Sequence, residues 1–104
     1  MKAQTNRDWI AALRSGEYQQ GRGRLHDHQG RMCCLGVLAD VAYDGDWEEM
    51  PGEGWKIGDC VGTLHGRIAN DIGVSIAVNA KCMSLNDVEN KSFAEIADWI
   101  EENV

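Results

Sequence analysis

Residues 44–62, DGDWEEMPGEGWKIGDCVG, hold glycines at 45, 52, 54, 58 and 62 together with the only proline of the chain, Pro51. So much backbone freedom, with no apolar period running through it, predicts a long loop and confines regular structure to short elements on either side. Loops longer than about 12–15 residues in small domains are usually functional or disordered. Trp47, Met50, Trp55 and Ile57 are residues of the buried type, so this one is expected to pack down on the body. With 104 residues and 11.5 kDa the chain has room for one core. Area scaling gives a folded surface of roughly 5,800 Å² against about 17,000 Å² unfolded. A composition of 43% hydrophobic and 26% charged residues is that of a globular domain.

Around the loop the apolar spacing is helical. Trp9, Ile10 and Leu13 share a face, with Asn6 as a candidate cap and Gly16 as a stop, predicting a helix over about residues 7–15. Leu35, Leu38, Val41 and Ala42 predict a second over 35–43, ended by Gly45. Leu64, Ile68 and Ile72 ahead of Gly73 predict a third. Val74, Ile76 and Val78 fit either a strand or a buried helical turn. Ser92 and Glu95 form an S-x-x-E capping box before Phe93, Ile96, Ala97 and Ile100, the clearest helix start in the chain. From Tyr18 to Cys34, two short extended segments about a polar turn ending at Gly30 read as a small hairpin. The expected fold class is mainly α, with α+β as the variant: a compact single domain, 1–104, of four or five short helices with one small β-hairpin and a long Gly-rich loop.

Charge is unevenly spread. Residues 1–31 carry six basic side chains (Lys2, Arg7, Arg14, Arg22, Arg24, Arg31) against three acidic ones, whereas residues 32–104 carry four against fourteen; the total is −7. Such an excess repels nucleic-acid phosphates and favours basic protein surfaces, so the charge argues against direct nucleic-acid binding. After Met1-Lys2-Ala3 no apolar stretch serves as an export signal, and the longest apolar run, Met32 to Ala39, falls far short of the about 20 residues that span a bilayer. A cytoplasmic chain with no membrane association is expected, its four cysteines, Cys33, Cys34, Cys60 and Cys82, reduced. A monomer and a homodimer both fit.

Constellations for chemistry are weak. His26, His28, Cys33 and Cys34 invite zinc, but neither C-x-x-C nor the usual histidine spacing is present. Cys33, Cys34 or Cys60 could each be paired with His65 for nucleophilic catalysis, and equal fits to several pairs support none. Gly21-Arg22-Gly23-Arg24 lacks the preceding strand and following Lys-Ser or Lys-Thr of a phosphate loop; with Arg31 it makes a basic edge. Asp44, Asp46, Glu48 and Glu49 lack the order of a calcium loop. No catalytic residue, metal or cofactor is assigned, and the chain is expected not to be an enzyme. The candidate site is the loop itself, where Trp47 and Trp55 stand among Asp44, Asp46, Glu48, Glu49, Glu53 and Asp59: aromatic anchors ringed by carboxylates suit a basic protein partner.

The blocks Trp9-Ile-Ala-Ala-Leu-Arg-Ser-Gly-Glu-Tyr-Gln-Gln-Gly-Arg-Gly, Cys33-Cys34-Leu-Gly-Val-Leu-Ala-Asp, Leu85-Asn-Asp and Ser92-Phe-Ala-Glu-Ile-Ala-Asp-Trp-Ile-Glu-Glu resemble, in this order, a family of small uncharacterised proteins of tailed phages and prophages. About half the chain is covered, and residues 44–84 stand outside the resemblance. The resemblance implies a phage accessory protein and, by association, an inhibitor of host defence of the anti-CRISPR type. The expected function is stoichiometric binding to a basic host protein, such as a nucleic-acid-binding defence subunit. The alternatives are a metal-stabilised or RNA-contacting module built on Arg22, Arg24, His26 and His28, and a small cysteine-dependent enzyme.

Overall fold

The N-terminal helix begins a turn earlier than its capping signal suggests. In the computed structural model, which describes residues 1–104, α1 spans Ala3–Arg14, and Asn6 lies inside it, its N–H bonded to the Lys2 carbonyl. Nothing in Ala3-Gln4-Thr5 breaks a helix, and Gln4 supports the first turns by donating to Asp8 and accepting from Arg7. The end is as expected, with Gly16 left-handed at φ 77°. α2, Cys34–Ala42, is buried from Cys34 through Ala39. The indole of the fully buried Trp9 donates to the Cys34 carbonyl at 2.9 Å, locking α1 to the start of α2.

The hairpin lies elsewhere than predicted. Residues 18–34 form no strands; they loop around Met32 through isolated bridges from Gln20 and His26. Gly23 and Gly30 at φ 80° and 81° bend the path too often for a ladder to run. The two-stranded antiparallel sheet is instead β1, Glu48–Met50, and β2, Gly54–Lys56, inside the stretch read as irregular. Its turn is Met50-Pro51-Gly52-Glu53: the Glu53 N–H donates to the Met50 carbonyl at 2.9 Å, and Gly52 has φ 77°. Proline second and a positive-φ glycine third is the chemistry of a type II turn.

α3 (Gly66–Ile72) ends on left-handed Gly73. Residues 74–84 resolve in favour of helix: Ser75 caps α4 (Ile76–Met83) by accepting from Val78 N–H at 3.1 Å. Val74 is buried while Ile76 is 90% exposed, which rules out the strand alternation. α4 runs on into a π-helical turn, Ser84–Val88. α5, Phe93–Asn103, starts with both arms of its capping box made, at 3.0 and 3.2 Å. α1 packs on α5 and α2, and α4 lies against α2, enclosing one core that includes Trp9, Leu35, Leu38, Ile96 and Ile100. The accessible surface is 5711 Å², close to the area scaling expected of one small domain. The fold is mainly α: five α-helices, one small hairpin and a long glycine-rich connection. No helix is long and apolar enough to cross a membrane.

Candidate protein-binding face

The face starts where α2 stops. Asp44 and Gly45 both take left-handed backbone, at φ 52° and 73°, and the Gly45 N–H returns to the Asp40 carbonyl at 3.0 Å. Aspartate tolerates this region better than most residues. The reversal lays Trp47 back over α2, where its indole N–H donates to Asp40 Oδ1 at 2.9 Å. The other oxygen of Asp40 accepts from the Tyr18 hydroxyl at 2.6 Å. Burial, then this carboxylate, push the Tyr18 phenol up to about 12. Asp40 is thus a tether for the loop rather than a contact for a partner.

β2 is fastened to the body by backbone. Trp55 N–H donates to the His26 carbonyl at 3.0 Å, and a Cβ on Gly54 would stand 2.6 Å from that same oxygen, so only glycine permits the approach. Arg24 reaches from the other side to the Glu53 carbonyl at 2.8 Å. Between the tryptophans sits His26, its ring centroid 5.1 Å from that of Trp47, edge-on, and 5.4 Å from that of Trp55. His26 Nδ1 lies 3.0 Å from the Asp27 carbonyl, which can only accept, so Nδ1 carries the proton. Below it the buried Asp27 carboxylate accepts from Gln29 N–H, Arg31 N–H and Arg31 Nε, each at 2.9 Å. Burial alone raises this carboxyl; the two backbone donors and the guanidinium outweigh it and hold it below the ordinary range.

The result is a hairpin with a half-buried aromatic base, Trp47–His26–Trp55, and an acidic rim. Asp44, Asp46, Glu48, Glu49 and Glu53 are all exposed, as is Asp59 just beyond. Among the rim residues only Glu48 has a cation within reach, Lys56 at 3.9 Å. The sequence placed these residues in one loop; in the hairpin Glu49 stands opposite Trp55, while Glu48 stands opposite Lys56 on the other side of the ribbon.

Other candidate groups are kept apart. His28 is exposed, His26 is taken up by the indoles, and Cys33 and Cys34 are buried at the start of α2; no three metal-ligating side chains gather anywhere. All four cysteines are free and buried. Burial pushes the Cys33 thiol up to about 11. The neighbouring Cys82 thiol, then burial, raise Cys34, which donates to the Cys82 carbonyl at 3.4 Å. Cys60 meets only the backbone of His65, whose N–H it accepts at 3.4 Å, and burial raises it too. Raised thiols are the opposite of what a nucleophile needs. In the Gly21–Arg24 segment the Gly23 N–H is spent on Asp87 Oδ1 at 3.2 Å, Arg24 on Glu53 and Arg31 on Asp27, leaving Arg22 as the free cation of that edge.

One residue that the sequence left without a role organises the interior. Asn86, 0% exposed, accepts from Gln20 Nε2 at 2.9 Å and Cys34 N–H at 3.3 Å and donates to the Gly21 carbonyl at 2.9 Å and Asp87 Oδ1 at 2.8 Å. It joins the π-helical turn to the 20–34 segment and to α2. The only hint of it was its place in the Leu85-Asn86-Asp87 block.

A search of curated proteins and a search of solved structures both find no match to the chain. A family model, described as a domain of unknown function, DUF8296, matches residues 1–59, from α1 through the hairpin and its aromatic base. That is more than half of the 104 residues, and the chain belongs to the DUF8296 family.

Proposed function

We propose that this protein acts stoichiometrically, by docking the acidic hairpin on a basic protein in the cytoplasm, and makes or breaks no covalent bond. The observation that carries the reading is the rim of residues 44–53, five exposed carboxylates with one lysine at 3.9 Å, mounted over two half-buried indoles. Little of that charge is neutralised within the molecule, so its field reaches about a Debye length, ~10 Å at 0.1 M salt, and steers a basic surface toward the face. Trp47 and Trp55 then offer large, rigid contact area at the centre of the ring, where binding energy concentrates. The phage resemblance gives the setting: an accessory protein of the anti-CRISPR type, its partner a nucleic-acid-binding defence subunit whose basic groove an acidic hairpin can cover.

The test captures host proteins on the immobilised chain, purifies the partner, and measures association rates for the wild type and for Glu48→Lys with Glu49→Lys. The wild-type on-rate should fall by roughly tenfold between about 0.05 and 0.3 M salt, and the double reversal should lower it by a similar factor at low salt while leaving the circular dichroism unchanged. A complex indifferent to the reversal overturns the proposal. So does a turnover assay in which trace protein transforms a nucleotide, peptide or sugar.

A further inference from the structure

α5 carries a second aromatic that the hairpin reading does not use. Trp99 is half-buried, on the helix whose other side supplies Phe93, Ile96, Ala97 and Ile100 to the core. Beside it, where the π-helical turn meets α5, opens a groove of about 330 Å³ lined by Leu85, Lys91, Glu95, Asp98, Trp99 and Glu102. The floor is apolar, since Leu85 is buried and belongs to the core. The rim is acidic. Lys91 stands 3.9 Å from Glu95 and Arg14 holds Asp98 at 2.7 Å, whereas Glu102 has no cationic partner. The Trp99 indole N–H donates to no side chain or carbonyl of the protein, so the ring is held by packing alone.

We infer that this groove receives an arginine side chain from a basic segment of a protein partner, its guanidinium stacked on Trp99 and its charge met chiefly by Glu102, with Asp98 shared with Arg14. Arginine fits better than other occupants for three reasons. Its planar guanidinium lies flat on an indole, its methylene stem suits an apolar floor, and its donors fork toward carboxylates on either side. An acidic or phosphorylated segment is repelled by the rim, and a purely apolar one would strip water from Glu102 without compensation. This rests on the reading that the partner is basic, but on none of the hairpin residues.

The probe is a short acetylated and amidated Gly-Arg-Gly-Arg-Gly peptide, compared with the same peptide carrying citrulline, the uncharged isostere, at both arginine positions. The readout is the set of indole N–H resonances of Trp9, Trp47, Trp55 and Trp99 in an ¹⁵N-labelled full-length sample, with Trp99→Phe to assign the last. The arginine peptide should shift the Trp99 resonance saturably at low salt, leave that of the buried Trp9 in place, and bind about fivefold to tenfold more weakly to Glu102→Lys. The citrulline peptide should leave Trp99 unmoved. A Trp99 resonance that stays still, moves equally with citrulline, or is indifferent to Glu102→Lys overturns the inference. Shifts confined to Trp47 and Trp55 overturn it as well while leaving the hairpin reading standing; stillness of all three under a peptide that the hairpin should also attract counts against both.

Discussion

Asp27 shows how one buried charge can fix a surface. Its carboxylate gathers two backbone N–H groups and a guanidinium within the 27–31 turn, and the carbonyl of the same residue orients His26 between the indoles. Asp27→Asn should cost about 1.5–3 kcal/mol at neutral pH, the range for hydrogen bonds to a charged group. Because the folded carboxyl is held below its unfolded value, the stabilisation is complete above the unfolded range, near pH 4, and drains away as pH falls through the folded value. Urea midpoints of wild type and variant should therefore differ at pH ~7 and draw together as the pH is taken below about 4; a constant gap would mean that the carboxylate's charge is not what matters. In sequence, His26-Asp27-His28-Gln29-Gly30 read as a polar turn, and so it is. The depth of Asp27 was not legible, because β2, which lies elsewhere in the chain, packs Gly54 on its backbone.

Gly36 sets the position of α2. A Cβ there would stand 1.9 Å from the Leu25 carbonyl oxygen, a backbone atom with no room to retreat, so the crossing of segment 20–32 over α2 depends on glycine. Gly36→Ala should lower stability by about 3 kcal/mol or more, whereas Gly62→Ala, whose Cβ would meet the Gly23 carbonyl at 3.3 Å, should cost under about 1 kcal/mol; paired thermal melts check this, and equal losses would refute it. Helix positions were readable wherever a face repeats or a cap is built in, as for α2, α3 and α5. The hairpin was misplaced because three-residue strands carry no usable period. Its one local signal was Pro51-Gly52, and the glycines around it pointed to disorder of pattern. The strands persist because Trp55 bonds to His26, a contact that no local reading contains.

A charge of −7 on a body of 12.2 Å radius of gyration repels itself, and the six ion pairs lie largely at the surface, where each is worth little. Raising sodium chloride from about 10 to about 300 mM should therefore lift the melting temperature by a few degrees, about 0.5–1 kcal/mol for a domain of this size. Calorimetry decides it: a falling midpoint would show that the ion pairs, and not the excess, govern. Size, single-domain form and helical class were all within reach of composition and spacing. The acidic residues of the hairpin were legible as a list. The aromatic base was not, since His26 comes from a segment that the sequence assigned to a different hairpin.

The hairpin is stitched to the body along β2 and again at its turn, through Trp55 to His26 and Arg24 to Glu53. A surface clasped at two points arrives at an encounter already shaped, so little conformational freedom is surrendered on contact and complexes should form without a slow rearrangement step. The same clasp limits versatility: under the proposed function, a rigid wedge would suit one groove width and be refused by a narrower one.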